Sequence, residues 1–300
     1  MVHHGKSGLV FLAGGGQFAR NNMAPNAQQI QEAIEKDSDF AHEMRVGKIL
    51  SELICNLRTD RFTDFRLKPV EHGGTYTDYI TGKPRQFDYR FTISRDYESV
   101  NWAVECKNLH PDCPMVVCGR PRTSEESFHT FLQAEDFYKK GIKVDNNFSI
   151  YEFESFVGKS VVRIKPTKDA QKRQTEPFSV DGDKDIYEAW SQAISFCHDI
   201  VDKISKPQTE KLIREFILPI VVIPNNSLWI AEYTSDGQLK EGPKQVDECY
   251  YYVGHEIAIP KSNILSISHI HFVTLNGLSK MLDLYLGPRV YKWKNIFAAT

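Results

Sequence analysis

The sequence predicts an α/β fold in which a sheet lies between helices, and three observations carry that reading. A helical stretch precedes two closely spaced strands, a long amphipathic helix covers residues 184–204, and a hairpin rich in β-branched residues follows it.

Residues 1–26 hold His3, His4 and the run Gly14, Gly15, Gly16 with little periodicity, and read as a flexible leader. Residues 27–300 read as a single domain. From Asn26 to about Arg58, Ile30, Ile34, Phe40, Met44, Val46, Ile49, Leu50 and Leu53 recur mostly at helical steps, with a second helix starting near Asp39 behind a cap at Asp37 or Ser38. Glu43 lies one turn before Gly47 on that helix. Residues 62–84 are rich in turn formers and lead into two strands, Gln86 to Ser94 and Val100 to Asn108. In the first, Phe87, Tyr89, Phe91 and Ile93 alternate with Asp88, Arg90, Thr92 and Ser94. In the second, Trp102, Val104 and Cys106 alternate with Ala103, Glu105 and Lys107, so Glu105 and Lys107 share a face.

An insertion spans about 110–183, with a helix expected over Glu125 to Lys140, a hairpin pairing 148–156 with 159–165, and an exposed polar loop at 166–183. After the helix Lys184 to Ile204, the strands Phe216 to Pro224 and Ser227 to Tyr233 flank the turn Asn225-Asn226 and read as a hairpin. A C-terminal extension over about 240–300 carries strands at Tyr250 to Ile259 and Leu265 to Thr274 and a short helix at Leu278 to Leu286.

With 41% hydrophobic and 12% aromatic residues in 300, the chain can bury a sizeable core. A net charge of −2 excludes coating nucleic acid through overall positive charge, so such contact needs a local groove; basic stretches at 139–143, 163–173 and 203–214 are candidates to flank one. Six cysteines at irregular spacings fit a reduced, cytoplasmic protein, and the apolar stretch Leu9 to Ala13 is too short for a signal core or a membrane span.

Phosphodiester hydrolysis needs carboxylates to hold a hard divalent cation, a group to position or deprotonate water, and a counter-charge for the phosphate. Asp88, Glu105 and Lys107 supply these types, and an antiparallel hairpin brings the start of the first strand to the end of the second. The backbone carbonyl of Cys106 is a further candidate ligand. A Glu-x-Lys triplet alone carries no information, since about one is expected by chance in a chain of this length. Its setting does: an isolated Asp opens the preceding strand seventeen residues earlier, and a Glu-bearing helix precedes both.

In that setting the chain resembles the PD-(D/E)XK nuclease superfamily. Gly82-Lys83-Pro84-Arg85-Gln86-Phe87-Asp88 is similar to the approach to its metal-binding Asp, Trp102-Ala103-Val104-Glu105-Cys106-Lys107 to its Glu-x-Lys strand, and Phe40-Ala41-His42-Glu43-Met44-Arg45-Val46 to its first-helix motif. The resemblance implies a restriction-endonuclease-like core of helix, three-stranded meander, helix and strand, with a central mixed sheet. It implies an Mg²⁺-dependent endonuclease, with Mn²⁺ as substitute, acting on DNA in restriction or anti-phage defence. Glu43 would complete the metal site with Asp88, Glu105 and the Cys106 carbonyl, and Gln192 would join the catalytic set. A homodimer, or a partner subunit of a defence complex, is the implied assembly, with no membrane. Phe87 stands where the family often has Pro. The rival reading is a catalytically inactive nuclease-fold module serving DNA binding or assembly, against which the complete Asp, Glu and Lys set argues.

Other motifs weigh less. Cys106, His110, Cys113 and Cys118 offer zinc-type ligands but no paired Cys-x-x-Cys, and Cys106 should point away from Glu105. Gly158-Lys159-Ser160 has Phe153 where a phosphate loop needs Gly. His269 and His271 share one strand face and read as structural.

Overall fold

The computed structural model describes residues 26–59, 65–110, 112–134, 142–149, 151, 154–167, 178–182, 184–204, 213–259 and 264–286. The chain divides into two compact units, Met1–Lys36 and Asp37–Thr300. The expected leader lies almost wholly outside the described residues. Helix α1 (Ala27–Asp37) follows it, opened by a reciprocal cap in which the Gln29 N–H donates to Asn26 Oδ1 at 2.9 Å and the Asn26 N–H to Gln29 Oε1 at 3.0 Å.

The second unit opens with α2 (Asp39–Thr59), capped by Ser38, whose Oγ accepts the Ala41 N–H at 3.0 Å. Strands β1 (Phe65–Leu67), β2 (Glu71–His72), β3 (Thr75–Thr77), β4 (Pro84–Gln86), β5 (Tyr89–Arg95) and β6 (Glu98–Cys106) come next. The inserted segment contributes β7 (Met115–Pro121), β8 (Phe128–Ala134), β9 (Ile142–Ser149), β10 (Phe156–Pro166) and β11 (Phe178–Asp181). Then come α3 (Lys184–Ile204), β12 (Ile213–Ile223), β13 (Leu228–Glu232), β14 (Lys244–Gln245), β15 (Glu248–Ala258), β16 (Ile264–Thr274) and α4 (Leu275–Leu286). Fourteen strands form one mixed sheet whose main path runs β1-β5-β6-β12-β16-β15-β10-β7-β13-β14, while β3 and β4 make a separate hairpin.

The middle of that sheet explains the layering. β12 is apolar without interruption from Phe216 to Ile223, which suits a strand covered on both faces. Its Phe216, Leu218, Ile220 and Val222 pack with Val46 and Leu50 of α2 and Leu278 and Met281 of α4. Its Ile217, Val221 and Ile223 pack with Ile186, Ala193, Phe196 and Ile200 of α3. One face of the sheet therefore carries α2 and α4, and the other carries α3. β12 runs parallel to β6, with Val221 beside Glu105, and parallel to β16; α3 lies in the crossover that a parallel neighbour of β6 requires. Among the described residues no helix is long and apolar enough to cross a membrane.

Several expected elements differ. Of the helix expected over Glu125 to Lys140, residues 135–140 lie outside the described residues, and the rest is instead a 3₁₀ turn, Glu125–Ser127, followed by β8, whose backbone is paired by β9 and β12. Local helix propensity yields there to ladder bonds on both edges. The hairpin expected across residues 148–165 does not form, because β9 pairs with β8 while β10 pairs with β7, β11 and β15. The turn Asn225-Asn226 exists, yet β12 and β13 diverge: β13 joins β7 and β14. The C-terminal segment supplies β15 and β16, which lie inside the sheet beside β12. Lys159 sits in β10, and His269 and His271 are fully buried in β16.

Those histidines belong to a polar network that ties the inserted segment to the central strands. Arg122, 2% exposed, donates to His269 Nε2; His269 Nδ1 meets Ser268 Oγ at 2.7 Å; Ser268 Oγ meets His129 Nδ1 at 3.2 Å; and His129 Nε2 meets the Ile217 carbonyl at 3.1 Å. Arginine only donates, so His269 is neutral and protonated on Nδ1; a carbonyl only accepts, so His129 carries its proton on Nε2, and full burial keeps that ring neutral as well. Burial pushes His129 down to about 3 from 6.5, and burial with the Arg122 charge depresses His269 further. The unfolded chain takes up protons between those values while the folded chain does not, so stability falls as pH drops through that window. Chemical denaturation should show the stability gap between wild type and His129→Gln narrowing by about 2 kcal/mol from pH 7.5 to pH 5. A gap that stays constant would contradict the neutral, buried assignment.

Candidate active site

Between β4 and β5 the chain bends at Asp88, and the bend breaks the alternation that the sequence suggests. Phe87 turns to the α3 side, where it stacks on Phe196 with ring centroids 4.3 Å apart, whereas Tyr89, Phe91 and Ile93 pack on the α2 side. Across the hairpin, Tyr89 pairs with Val104 and Phe91 with Trp102. On β6 the predicted faces hold: Ala103 joins the α3-side core, while Trp102 and Val104 join the α2-side core with Cys106 against them. The backbone N–H of Cys106 donates to Asp88 Oδ2 at 2.6 Å, and that of Lys107 to the Val222 carbonyl at 2.8 Å.

A cleft of about 210 Å³ opens at this end of β6, lined by Asp39, Glu43, Asp88, Glu105, Cys106, Lys107, Glu188, Ala189 and Gln192. Every residue expected at the site from sequence (Asp88, Glu105, Lys107, Glu43, Gln192 and Cys106) therefore lines one cleft. α2 supplies one wall and α3 the other. Five of the lining residues carry carboxylates and one an ammonium. Burial raises the Asp88 carboxyl to about 6, with the Glu43 charge adding to the rise and the Cys106 N–H opposing it. Glu105 is raised well above its ordinary value by burial, then by Asp88 and Glu43, with Lys107 and Arg85 pulling the other way. In both groups the surroundings thus disfavour the anion, a bias that a bound cation would reverse.

Glu43 is built in through its own set of contacts. Its Oε1 lies 2.5 Å from His72 Nε2, the His72 ring stacks on Tyr89 at 4.7 Å, and the Tyr89 hydroxyl donates to the Glu43 carbonyl at 3.0 Å. The bare Cα of Gly47 makes room for that hydroxyl, since a Cβ there would sit 2.4 Å from it. On α3, the Gln192 carbonyl accepts from the Tyr76 hydroxyl at 3.3 Å, which anchors the β3–β4 hairpin beside the cleft.

Oxygen donors in excess of positive charge suit a hard divalent cation such as Mg²⁺ or Mn²⁺, which needs only one or two protein carboxylates and retains waters. Asp88 and Glu105 fit that role. Among the described residues no group of three His, Cys, Asp or Glu side chains is set to hold a metal as it stands, the Cys106, His110, Cys113 and Cys118 cluster included. One oxygen of the Glu43 carboxylate, Oε1, is engaged by His72, which leaves Oε2 as its candidate donor to a cation.

Sequence reasoning missed Asp39 and Glu188, although each lies one helical turn before a residue it did find, Glu43 and Gln192. His72 and Arg85 carried no such signal. Most of the basic stretches expected to flank a groove, 139–143, 163–173 and 203–214, lie outside the described residues. Of their described members, Arg163 donates to the Cys113 carbonyl at 2.8 Å, Lys165 pairs with Asp181 at 2.5 Å, Lys203 with Asp199 at 2.6 Å, and Arg214 with Glu98. Compared with protein-family models, curated proteins and solved structures, the chain finds no match.

Without divalent cations, Asp88→Asn should raise stability at pH 7.5 by on the order of 1–3 kcal/mol, because a carboxylate raised to about 6 is charged there against its surroundings. The native state binds the extra proton between about 3.8 and 6, so wild type regains this stability as pH falls through that window and the variant does not. Thermal melts with Mn²⁺ should stabilise wild type and leave Asp88→Asn unmoved; equal shifts in both would remove Asp88 from the cation site.

Proposed function

We propose that this chain is a metal-dependent phosphodiesterase. Within that class it is read as a PD-(D/E)XK endonuclease that cuts DNA, in a setting of restriction or anti-phage defence. One observation carries the reading: Asp88 and Glu105, both destabilised as anions, meet Lys107 in a cleft whose walls add Glu43 and Gln192. The element order supports a restriction-endonuclease-like core, with α2, the antiparallel meander β1, β5 and β6, then α3, then β12 parallel to β6.

Asp88, Glu105 and the Cys106 carbonyl would hold Mg²⁺, and Glu43 would join them through the oxygen that His72 does not engage. The bound ion supplies Lewis-acid stabilisation of phosphoryl charge and lowers the pKa of a water. Lys107 faces the same cleft as Glu105, where its ammonium orients the attacking water and counters the charge that builds on phosphorus. Gln192, on the opposite wall, offers an amide that can donate to a phosphate oxygen and accept from the water. Blunt cutting of both strands would use two such clefts, which a homodimer would supply.

Purified protein should nick or linearise supercoiled plasmid in Mg²⁺ and leave it intact in EDTA. Asp88→Ala, Glu105→Gln and Lys107→Ala should each lower the rate about a hundredfold or more while retaining native circular dichroism. Cleavage at the wild-type rate in the Asp88 and Lys107 variants would overturn the assignment.

A further inference from the structure

A nucleic-acid strand brings a row of phosphates, yet the cleft presents five carboxylates and only the Lys107 ammonium. A further cationic contact has to come from beside it. Arg85, on β4, has the geometry for one. Its Nε lies 2.8 Å from Asp78 Oδ2 in an ion pair, its Nη nitrogens make no hydrogen bond among the described residues, and its side chain is 42% exposed. Arg85 does not line the cleft, but its charge reaches Glu105, where it opposes the rise of that carboxyl.

The acid that holds Arg85 is itself locked. Asp78 is 5% exposed, and its Oδ1 accepts the N–H of Ile80 at 3.1 Å, the N–H of Thr81 at 2.8 Å and the Thr81 hydroxyl at 2.9 Å. Burial pushes its carboxyl up, but the bonds from Thr81 and Ile80 and the Arg85 charge hold it below the ordinary value, so the pair is ionised. The hairpin that carries both residues is fixed to the α3 wall by the Tyr76 hydroxyl on the Gln192 carbonyl and by the Tyr79 N–H on Ser195 Oγ, each at 3.3 Å. Arg85 is therefore set in register with the wall that presents Gln192. A guanidinium held at Nε leaves its outer fork for a bidentate oxyanion.

We propose that Arg85 is a phosphate-binding residue, gripping a backbone phosphate of the strand next to the one held in the cleft, with Asp78 as its positioning residue. This assignment rests on the phosphodiesterase reading of the cleft. It differs from a structural role for the Asp78–Arg85 pair in requiring the outer fork of Arg85 to meet substrate.

Binding of the full chain to fluorescein-labelled DNA, duplex and single-stranded, with Ca²⁺ in place of Mg²⁺, tests it across a range of salt. Arg85→Ala should weaken binding about tenfold and lower the slope of log affinity against log salt by about 1. Arg85→Lys should keep the slope and lose about threefold, since it retains the charge but not the fork. Asp78→Asn should weaken binding severalfold with the slope unchanged, and in Mg²⁺ its loss should appear in KM more than in kcat. Affinity and slope in Arg85→Ala equal to wild type would overturn the proposal, as would a lowered melting temperature in Arg85→Ala and Arg85→Lys with no change in binding. Binding that depends on Arg85 in a wild-type protein that never cleaves would uphold the phosphate site while refuting the phosphodiesterase reading. Cleavage that is indifferent to Arg85 would do the reverse, and a wild-type protein that neither binds nor cleaves DNA would refute both.

Discussion

Where β5 bends away from β6, the N–H of Cys106 loses the backbone carbonyl that a straight strand would offer, and the Asp88 carboxylate accepts it instead. A buried N–H left unpaired would cost about 1–3 kcal/mol, so the bend is sustainable only with an acceptor at that position. The same bend sends Phe87 and Tyr89 to opposite faces of the sheet. Phe87 then stacks on Phe196 and fixes α3, while Tyr89 reaches the Glu43 carbonyl and fixes α2. Both walls of the cleft are thus referred to one side-chain bond at its floor.

The arrangement has an electrostatic cost that the rest of the molecule must bear. Burial and neighbouring carboxylates raise the proton affinity of Asp88 and Glu105, and a group kept in a disfavoured state is a common mark of a site shaped for a ligand rather than for stability. The compensation lies nearby, in β12, whose side chains are buried on both faces of the sheet between α2 and α4 on one side and α3 on the other. A strand so anchored holds β6 in register, and with it Glu105 beside Val221 and the Lys107 N–H on Val222.

How much of this was legible in the sequence depends on whether the signal is local. α3 runs from Lys184 to Ile204 as its apolar periodicity predicts, and α2 starts at Asp39 behind Ser38 because a cap is a matter of three residues. Glu105 and Lys107 share a face by the two-residue period alone. Strand pairing is different in kind. β12 and β13 flank a convincing turn, yet each finds a better partner far along the chain, and nothing in the intervening residues announces it. The stretch after Glu125 looked helical because its partners β9 and β12 are not visible from within it. His72 escaped notice for the same reason: its role exists only once it meets Glu43, 29 residues away in the chain.

The order of strands around β12 also bears on how the chain reaches this state. β6, β12 and β16 lie side by side in the sheet but are separated by roughly a hundred and roughly forty residues of sequence. Until β16 docks, one edge of the most apolar strand in the molecule remains open, and closing it means paying the entropy of long loops before any ladder bond forms. The nascent protein must therefore pass through a stage in which β12 offers a bare, hydrophobic template to other chains. Assembly of the sheet, more than its final stability, is then the step at which yield would be lost and at which a folding helper would be most effective.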